Sequence, residues 1–273
     1  MANEHTAAAM NVAEQPLVYP APAVEIRVRQ GIAYRSEAAI DLHADVYRPA
    51  NLREGELRAA VVFIHGGPIP SGANPKDWRV FRDYGNLVAA NGLIGITFNH
   101  RLHSPVAYAT AQEDVAALLD YVRSHAEELN VDPDRLVLWA FSGGGPLLTV
   151  GLASERTYVR GLIAYYALLD FVLPAGLEVN AEQREVLDRM SPLVQLRRHG
   201  CRPCVFIARA GLEAFPGLND TQHSFFMEAL AQNVAVEFIN HPQGEHGFDI
   251  RNEVARTPEI IDLTLAFLRA RAK

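Results

Sequence analysis

Ser142 stands in the stretch Ala140-Phe141-Ser142-Gly143-Gly144-Gly145, directly after the apolar run Leu136-Val137-Leu138-Trp139 and before a helix-compatible segment. Small residues two before and two after a serine let a strand and a helix approach closely. The turn between them is then sharp, and the hydroxyl is thrust out of the fold as a nucleophile elbow, here with alanine in the first glycine position. Serine followed by glycines is also an ordinary flexible loop, so the stretch means chemistry only with partners. A serine hydroxyl is a poor nucleophile near neutral pH. It needs a histidine base and, behind the histidine, a carboxylate that orients the ring and stabilises the imidazolium.

Two histidines compete for the base, in His241-Pro242-Gln243-Gly244-Glu245-His246-Gly247-Phe248. His246 is preferred, because Gly244 and Gly247 give its loop the freedom to swing a side chain back over a sheet, whereas His241 abuts Pro242. Three carboxylates compete for the acid. Glu213 follows the run Val205–Ala208 and Gly211 and is favoured on position; Asp220 is the alternative, although capping the amphipathic segment around Phe225 also explains it; Asp170 is third. The chain order serine, acid, histidine ranks them so. The charge that develops on an attacked carbonyl oxygen needs backbone N–H donors, each contributing on the order of 3 kcal/mol in the transition state. His65-Gly66-Gly67-Pro68 follows another apolar run and offers Gly66 and Gly67, and Gly143 offers the N–H next to the nucleophile. Trp78, Phe141 and Phe248 are the expected substrate-binding residues, although aromatics spaced as Trp78, Phe81 and Tyr84 pack a helix core equally well.

These groups need a scaffold that points loops to one end. Ala60–Ile64, Leu93–Phe98, Leu136–Phe141, Leu162–Tyr166 and Val205–Ala208 are continuous apolar runs, which suit strands covered on both faces. Val24–Val28 and Ile40–Tyr47 alternate instead and suit antiparallel edge strands, and Val234–Asn240 reads as the last strand. Val115, Leu118, Leu119 and Val122 repeat at helical spacing, as do Ile261, Leu265 and Leu268. The expectation is one α/β domain over residues 23–273, with a mostly parallel sheet of about eight strands, helices on both faces and catalytic groups at the strand carboxyl ends. Residues 1–22, with Pro16, Pro20 and Pro22, are expected as a flexible or surface-draped arm, and residues 170–196 as a short lid-like excursion.

Bulk composition narrows the partners. With 273 residues, 49% hydrophobic, and a net charge of −7, the chain can bury a large core but lacks the basic surface that nucleic acid or an anionic membrane would need. No run reaches the roughly 18 apolar residues of a membrane span, and the first residues lack the pattern of a signal peptide, so a cytoplasmic location is expected. The two cysteines, Cys201 and Cys204, precede a strand rather than open a helix, so they are read as incidental rather than redox-active, and no metal site is expected.

On these residues the chain resembles the α/β-hydrolase superfamily over roughly 59–273, specifically the esterase/lipase and prolyl-oligopeptidase-like groups with a His-Gly-Gly-Gly or His-Gly-Gly-Pro turn. Asn99-His100-Arg101-Leu102 with Asp114 is similar to a Tyr-Arg-Leu stretch of those enzymes, and Gly244–Phe248 to their catalytic-histidine loop. The resemblance implies Ser142 as nucleophile, His246 as base, and Gly66, Gly67 and Gly143 as oxyanion donors. It departs from the pattern at Ala140 and at Glu213, where aspartate is commoner and where the longer side chain must fold back. The expected activity is a serine carboxylesterase acting on small to medium esters without cofactor, with a homodimer as the base-rate expectation. A small acylaminoacyl or peptidase-type hydrolase is the alternative within the fold, and a non-catalytic ligand-binding protein the alternative outside enzymes.

Overall fold

The structure, a computed structural model, describes residues 12–37, 40–171 and 179–271. Its centre is an eight-stranded sheet of β1 (Ile26–Glu37), β2 (Ile40–Pro49), β3 (Arg58–Ile64), β4 (Ile94–Phe98), β5 (Val131–Phe141), β6 (Val159–Tyr165), β7 (Cys204–Ala210) and β8 (Val236–His241). The spatial order is β1-β2-β4-β3-β5-β6-β7-β8. β2 pairs antiparallel with β1 and β4, and every other pairing is parallel. β2 is therefore not an edge strand. Its alternating start belongs to the hairpin with β1, while Ala44, Asp45, Val46 and Tyr47, paired with β4, are buried.

Continuous apolar runs form the central strands because both faces are covered. Ala60, Val62 and Ile64 of β3 face one core layer, with Val115, Leu118, Leu119 and Val122 of α2 (Tyr108–Ser124) packed on it. Val61 and Phe63 face the other, under Val80, Phe81, Tyr84, Leu87 and Val88 of α1 (Arg79–Ala90) and Ile260, Ile261, Leu265 and Leu268 of the C-terminal helix Arg256–Arg271. Tight approaches fall where side chains are absent. A Cβ on Gly85 of α1 would lie 2.5 Å from the Tyr47 ring, so this helix sits directly on the sheet.

The N-terminal segment is laid on the fold across its described part. Leu17 is buried in the α1 layer. The Leu17 N–H donates to Asp83 Oδ2 at 3.1 Å, the Val18 N–H to the Asp249 carbonyl at 2.7 Å, and the Tyr19 hydroxyl to Asp262 Oδ1 at 2.6 Å. Of the flexible and surface-draped forms expected of this arm, burial of Leu17 and borrowed acceptors agree with the draped one for residues 12–19, and residues 1–11 lie outside the described residues.

Within the excursion, α3 (Ala126–Leu129) and α4 (Thr149–Leu152) having preceded it, the chain forms α5 (Ala181–Met190), opened by an Asn180–Gln183 capping box, and α6 (Pro192–His199), capped by Ser191. Residues 172–178 lie outside the described residues.

Candidate active site

Ser142 directly follows β5 and starts a 3-10 helix, Ser142–Leu148, with φ of +52°, a left-handed conformation that costs a non-glycine residue about 1–3 kcal/mol. Packing holds it there. A Cβ on Gly143 would lie 2.0 Å from the Gly67 carbonyl oxygen, one on Gly144 2.6 Å from the His65 carbonyl oxygen, and one on Gly145 2.0 Å from the Leu168 carbonyl oxygen. The three glycines let the elbow press backbone against backbone on two neighbouring loops. The Leu168 N–H donates to the Ser142 carbonyl at 3.0 Å and the Tyr108 hydroxyl to the Gly143 carbonyl at 2.9 Å.

Ser142 Oγ lies 2.7 Å from His246 Nε2, and His246 Nδ1 lies 2.7 Å from Glu213 Oε2. A carboxylate only accepts, so Nδ1 carries the proton and donates to Glu213, which leaves Nε2 to accept from the serine hydroxyl. Glu213 reaches the imidazole because its loop is zipped to the histidine loop. The Gly211 N–H donates to the His241 carbonyl at 2.9 Å and the Leu212 N–H to the Gly244 carbonyl at 2.8 Å. Its second oxygen accepts from the Phe215 N–H at 2.9 Å, and only 1% of its side chain is exposed. The Phe215 ring meets His246 edge-on at 4.7 Å, and Tyr166 packs against the same imidazole at 4.9 Å.

The turn after β3 faces the elbow. A Cβ on Gly66 would stand 3.0 Å from Ser142 Cβ, and one on Gly67 would strike Leu102 at 2.8 Å. The N–H groups of Gly66 and Gly67 have no hydrogen-bond partner among the described residues, and Gly143 lies in the first turn of its helix, where N–H groups are unsatisfied by the helix itself. The loop of residues 99–102 backs this turn. Arg101 is clamped on the buried Asp114, with Nη2 to Oδ1 at 2.7 Å and the backbone N–H to Oδ2 at 2.9 Å, and the Ile69 N–H donates to the Leu102 carbonyl at 2.9 Å. His65 and His100 stack at 3.5 Å beneath. Burial lowers the His65 imidazole to about 4 and holds His100 well below the usual histidine range, so both are neutral.

A cavity of about 280 Å³ opens beside Ser142, bounded by the Gly66–Ile69 turn, the start of α1 with Trp78 and Phe81, Phe141 and Tyr166, and the segment Gly247–Arg251. Its one buried carboxylic group is engaged. Asp249 accepts from the Tyr84 hydroxyl at 2.8 Å and the Tyr166 hydroxyl at 2.6 Å, and burial pushes its carboxyl up.

The fold has counterparts among solved structures. The esterase Est2 from the planctomycete Thermogutta terrifontis, bound to butyrate, superposes with a TM-score of 0.71 at 22% identity, covering 91% of this chain and 94% of that one. The chain has an α/β-hydrolase fold. Residues 44–173 match the BD-FAE family, which takes in β3, β5 and the elbow of the hydrolase fold. Among curated proteins, the non-reducing polyketide synthase Preu3 of Preussia isomera is 26% identical over 157 residues, 53% of this chain, and the acylcarnitine hydrolase of Mus musculus is 27% identical over 127 residues, 42% of this chain. The chain spans only 6% and 21% of these relatives' lengths.

Within the hydrolase fold the remaining candidates fall apart physically. Asp220 is exposed in the first turn of α7 (Leu218–Ala231), which is capped by Gly217, so it neither meets the imidazole nor caps the helix through its side chain. Asp170 accepts from Ser191 Oγ at 2.7 Å and ties down the start of α6. His241 is fully buried against Thr257, at 3.0 Å, fitting where Gly244 lacks a side chain. Phe248 is a correction: it opens α8 (Phe248–Arg251), is 0% exposed, packs on Tyr165, Tyr166 and His241, and does not line the cavity. Its place after a left-handed Gly247 turns the ring into the core. Tyr84 likewise serves the core, whereas Trp78 and Phe141 line the cavity.

Sequence reasoning passed over Tyr166, Asp249 and Phe215. Only the last carried a signal, an aromatic residue two positions after Glu213 in the same short loop. Cys201 donates to the Pro203 carbonyl, and burial raises its thiol to about 12, which disfavours the thiolate. Among the described residues no group of three or more His, Cys, Asp or Glu could hold a metal ion, and no helix is long and apolar enough to cross a membrane.

Proposed function

We propose that the protein is a serine carboxylesterase acting on small esters. Ser142 attacks the ester carbonyl as His246 takes its proton, with Glu213 stabilising the imidazolium. The tetrahedral oxygen is held by the N–H groups of Gly66 or Gly67 and Gly143. His246 then protonates the departing alkoxide, and water, activated by the same imidazole, cleaves the acyl-enzyme and regenerates the serine. The observation that carries the reading is the continuous relay Ser142 Oγ to His246 to Glu213, each step 2.7 Å, at the mouth of an apolar cavity. A ligand-binding protein would have no need of a strained serine kept within hydrogen-bond reach of an oriented base. The names of Est2 and the acylcarnitine hydrolase agree with ester chemistry.

A fluorophosphonate probe tests it. Covalent labelling on Ser142, together with hydrolysis of p-nitrophenyl acetate that falls by at least about 10⁴-fold in Ser142→Ala, is the expected result. A folded wild-type chain that neither labels nor hydrolyses any ester would overturn it.

A further inference from the structure

None of the described residues of 170–196 lines the cavity beside Ser142, whereas Val12 of the N-terminal segment does. Val12 reaches the cavity because the chain behind it is anchored at both flanks. Leu17 donates to Asp83 on α1, the helix that contributes Val80 and Phe81, and Val18 donates to the carbonyl of Asp249 on α8, the helix that contributes Ile250. Leu17 is only 6% exposed, and the Gln15 N–H turns the chain by donating to the Val12 carbonyl at 3.2 Å. The segment thus bridges two cavity walls and delivers an aliphatic side chain between them.

The other surfaces suit an aliphatic guest. Ile69, Trp78, Val80, Phe81, Phe141 and Ile250 are apolar, the Asp249 carboxyl already accepts from two tyrosine hydroxyls, and Arg251 adds a cationic side chain to the lining. A volume of about 280 Å³ leaves room for a short chain, and Val12 in its lining belongs to a segment held through a few contacts rather than to the sheet.

We propose that residues Val12–Val18 form the end wall of the substrate cavity and that Val12 limits the length of the aliphatic group an ester can place there. The inference rests on the esterase reading and deepens it, because it assigns the substrate class to short-chain esters and the selectivity to the N-terminal segment. One methylene more or less in an apolar pocket changes kcat/KM by about 10–200-fold, so a single side chain at the end of the space is enough to set the cut-off.

The test uses the full-length chain and two ester series, one lengthening the acyl group on a fixed alcohol and one lengthening the alcohol on a fixed acyl group. The readout is the ratio of kcat/KM for the six-carbon over the two-carbon member. Val12→Ala should raise that ratio by about tenfold or more in one series, and Val12→Trp should lower it by a similar factor. Asp83→Ala, which frees the Leu17 N–H at a distance from the cavity, should shift the ratio in the same direction as Val12→Ala. Fluorophosphonate labelling of Ser142 in each variant reports that the elbow is intact. Variants that label normally yet keep the wild-type ratio in both series overturn the inference while leaving the esterase reading standing. A wild-type chain that neither labels nor hydrolyses either series overturns the esterase reading, and the inference with it.

Discussion

The floor and the end wall of the same cavity are held by different physics. At the floor, the elbow meets the Gly66–Gly67 turn backbone to backbone, with less than a methyl group of space at Gly143 and Gly145. At the wall, residues 12–19 lie over side chains and are held by Leu17 and by hydrogen bonds borrowed from α1, α8 and the C-terminal helix. The floor must place reacting atoms within tenths of an ångström, and crowded backbone provides that rigidity. The wall only has to occupy volume. The proposed chemistry and selectivity would thereby be separated into a part that tolerates no added atom and a part that can change by whole side chains.

The sharpest way to break this contrast is Gly143→Ala. Overpacking against the Gly67 carbonyl should destabilise the fold by about 3 kcal/mol or more and abolish fluorophosphonate labelling, read by urea melts and gel fluorescence. A folded, labelling variant would mean that the floor is softer than its geometry implies. Next in size, Glu213→Gln should lower kcat on an activated ester by roughly 10²–10⁴-fold with a small change in KM, while Asp220→Asn and Asp170→Asn should stay within about twofold. Collapse of turnover in Asp220→Asn alone would reassign the acid.

A third measurement separates floor from wall by pH. His65 and His100, stacked beneath the floor, have folded pKa values depressed below the unfolded value, to about 4 for His65. Between the ordinary histidine value near 6.5 and that folded value the unfolded chain binds more protons, so stability falls as pH falls, by up to about 1.4 kcal/mol per pH unit for each histidine. Asp249, whose carboxyl is raised by burial, works in the opposite sense, since its folded state holds the proton above the ordinary aspartate value. The difference between wild type and His65→Asn therefore isolates the histidine: the variant should lose less stability than wild type between pH 7 and pH 4.5 in urea melts. Equal losses would show that the stack does not carry the effect. The smallest change is expected at the wall, where Tyr19→Phe removes one solvent-exposed hydrogen bond to Asp262 and should cost less than about 1 kcal/mol in the same assay.

Much of the scaffold is readable along the chain because each central strand is covered on both faces and so appears as an unbroken apolar run, as at Ala60–Ile64 and Leu136–Phe141. β1 is harder to read. Its pairing with β2 shifts register around Arg29 to Arg35, and the alternation seen from Val24 to Val28 breaks there, so only its start stood out. Ser142, His246 and Glu213 were accessible as candidates because glycines and strand ends mark their loops. Phe248 was misread because its neighbour His246 faces the cavity, while the left-handed Gly247 between them reverses the direction of the next side chain.

The amino-acid sequence alone determined the order of strands and helices, the glycine-rich turns, and a short set of residues able to do acyl chemistry, since periodicity and turn chemistry are local properties. Which carboxylate meets His246, where the Asp249 carboxyl is engaged, and that Val12 lines the cavity beside Ser142 were decided only in three dimensions. Those contacts join residues 33 to more than 100 positions apart, and nothing in the local pattern of either partner specifies the other.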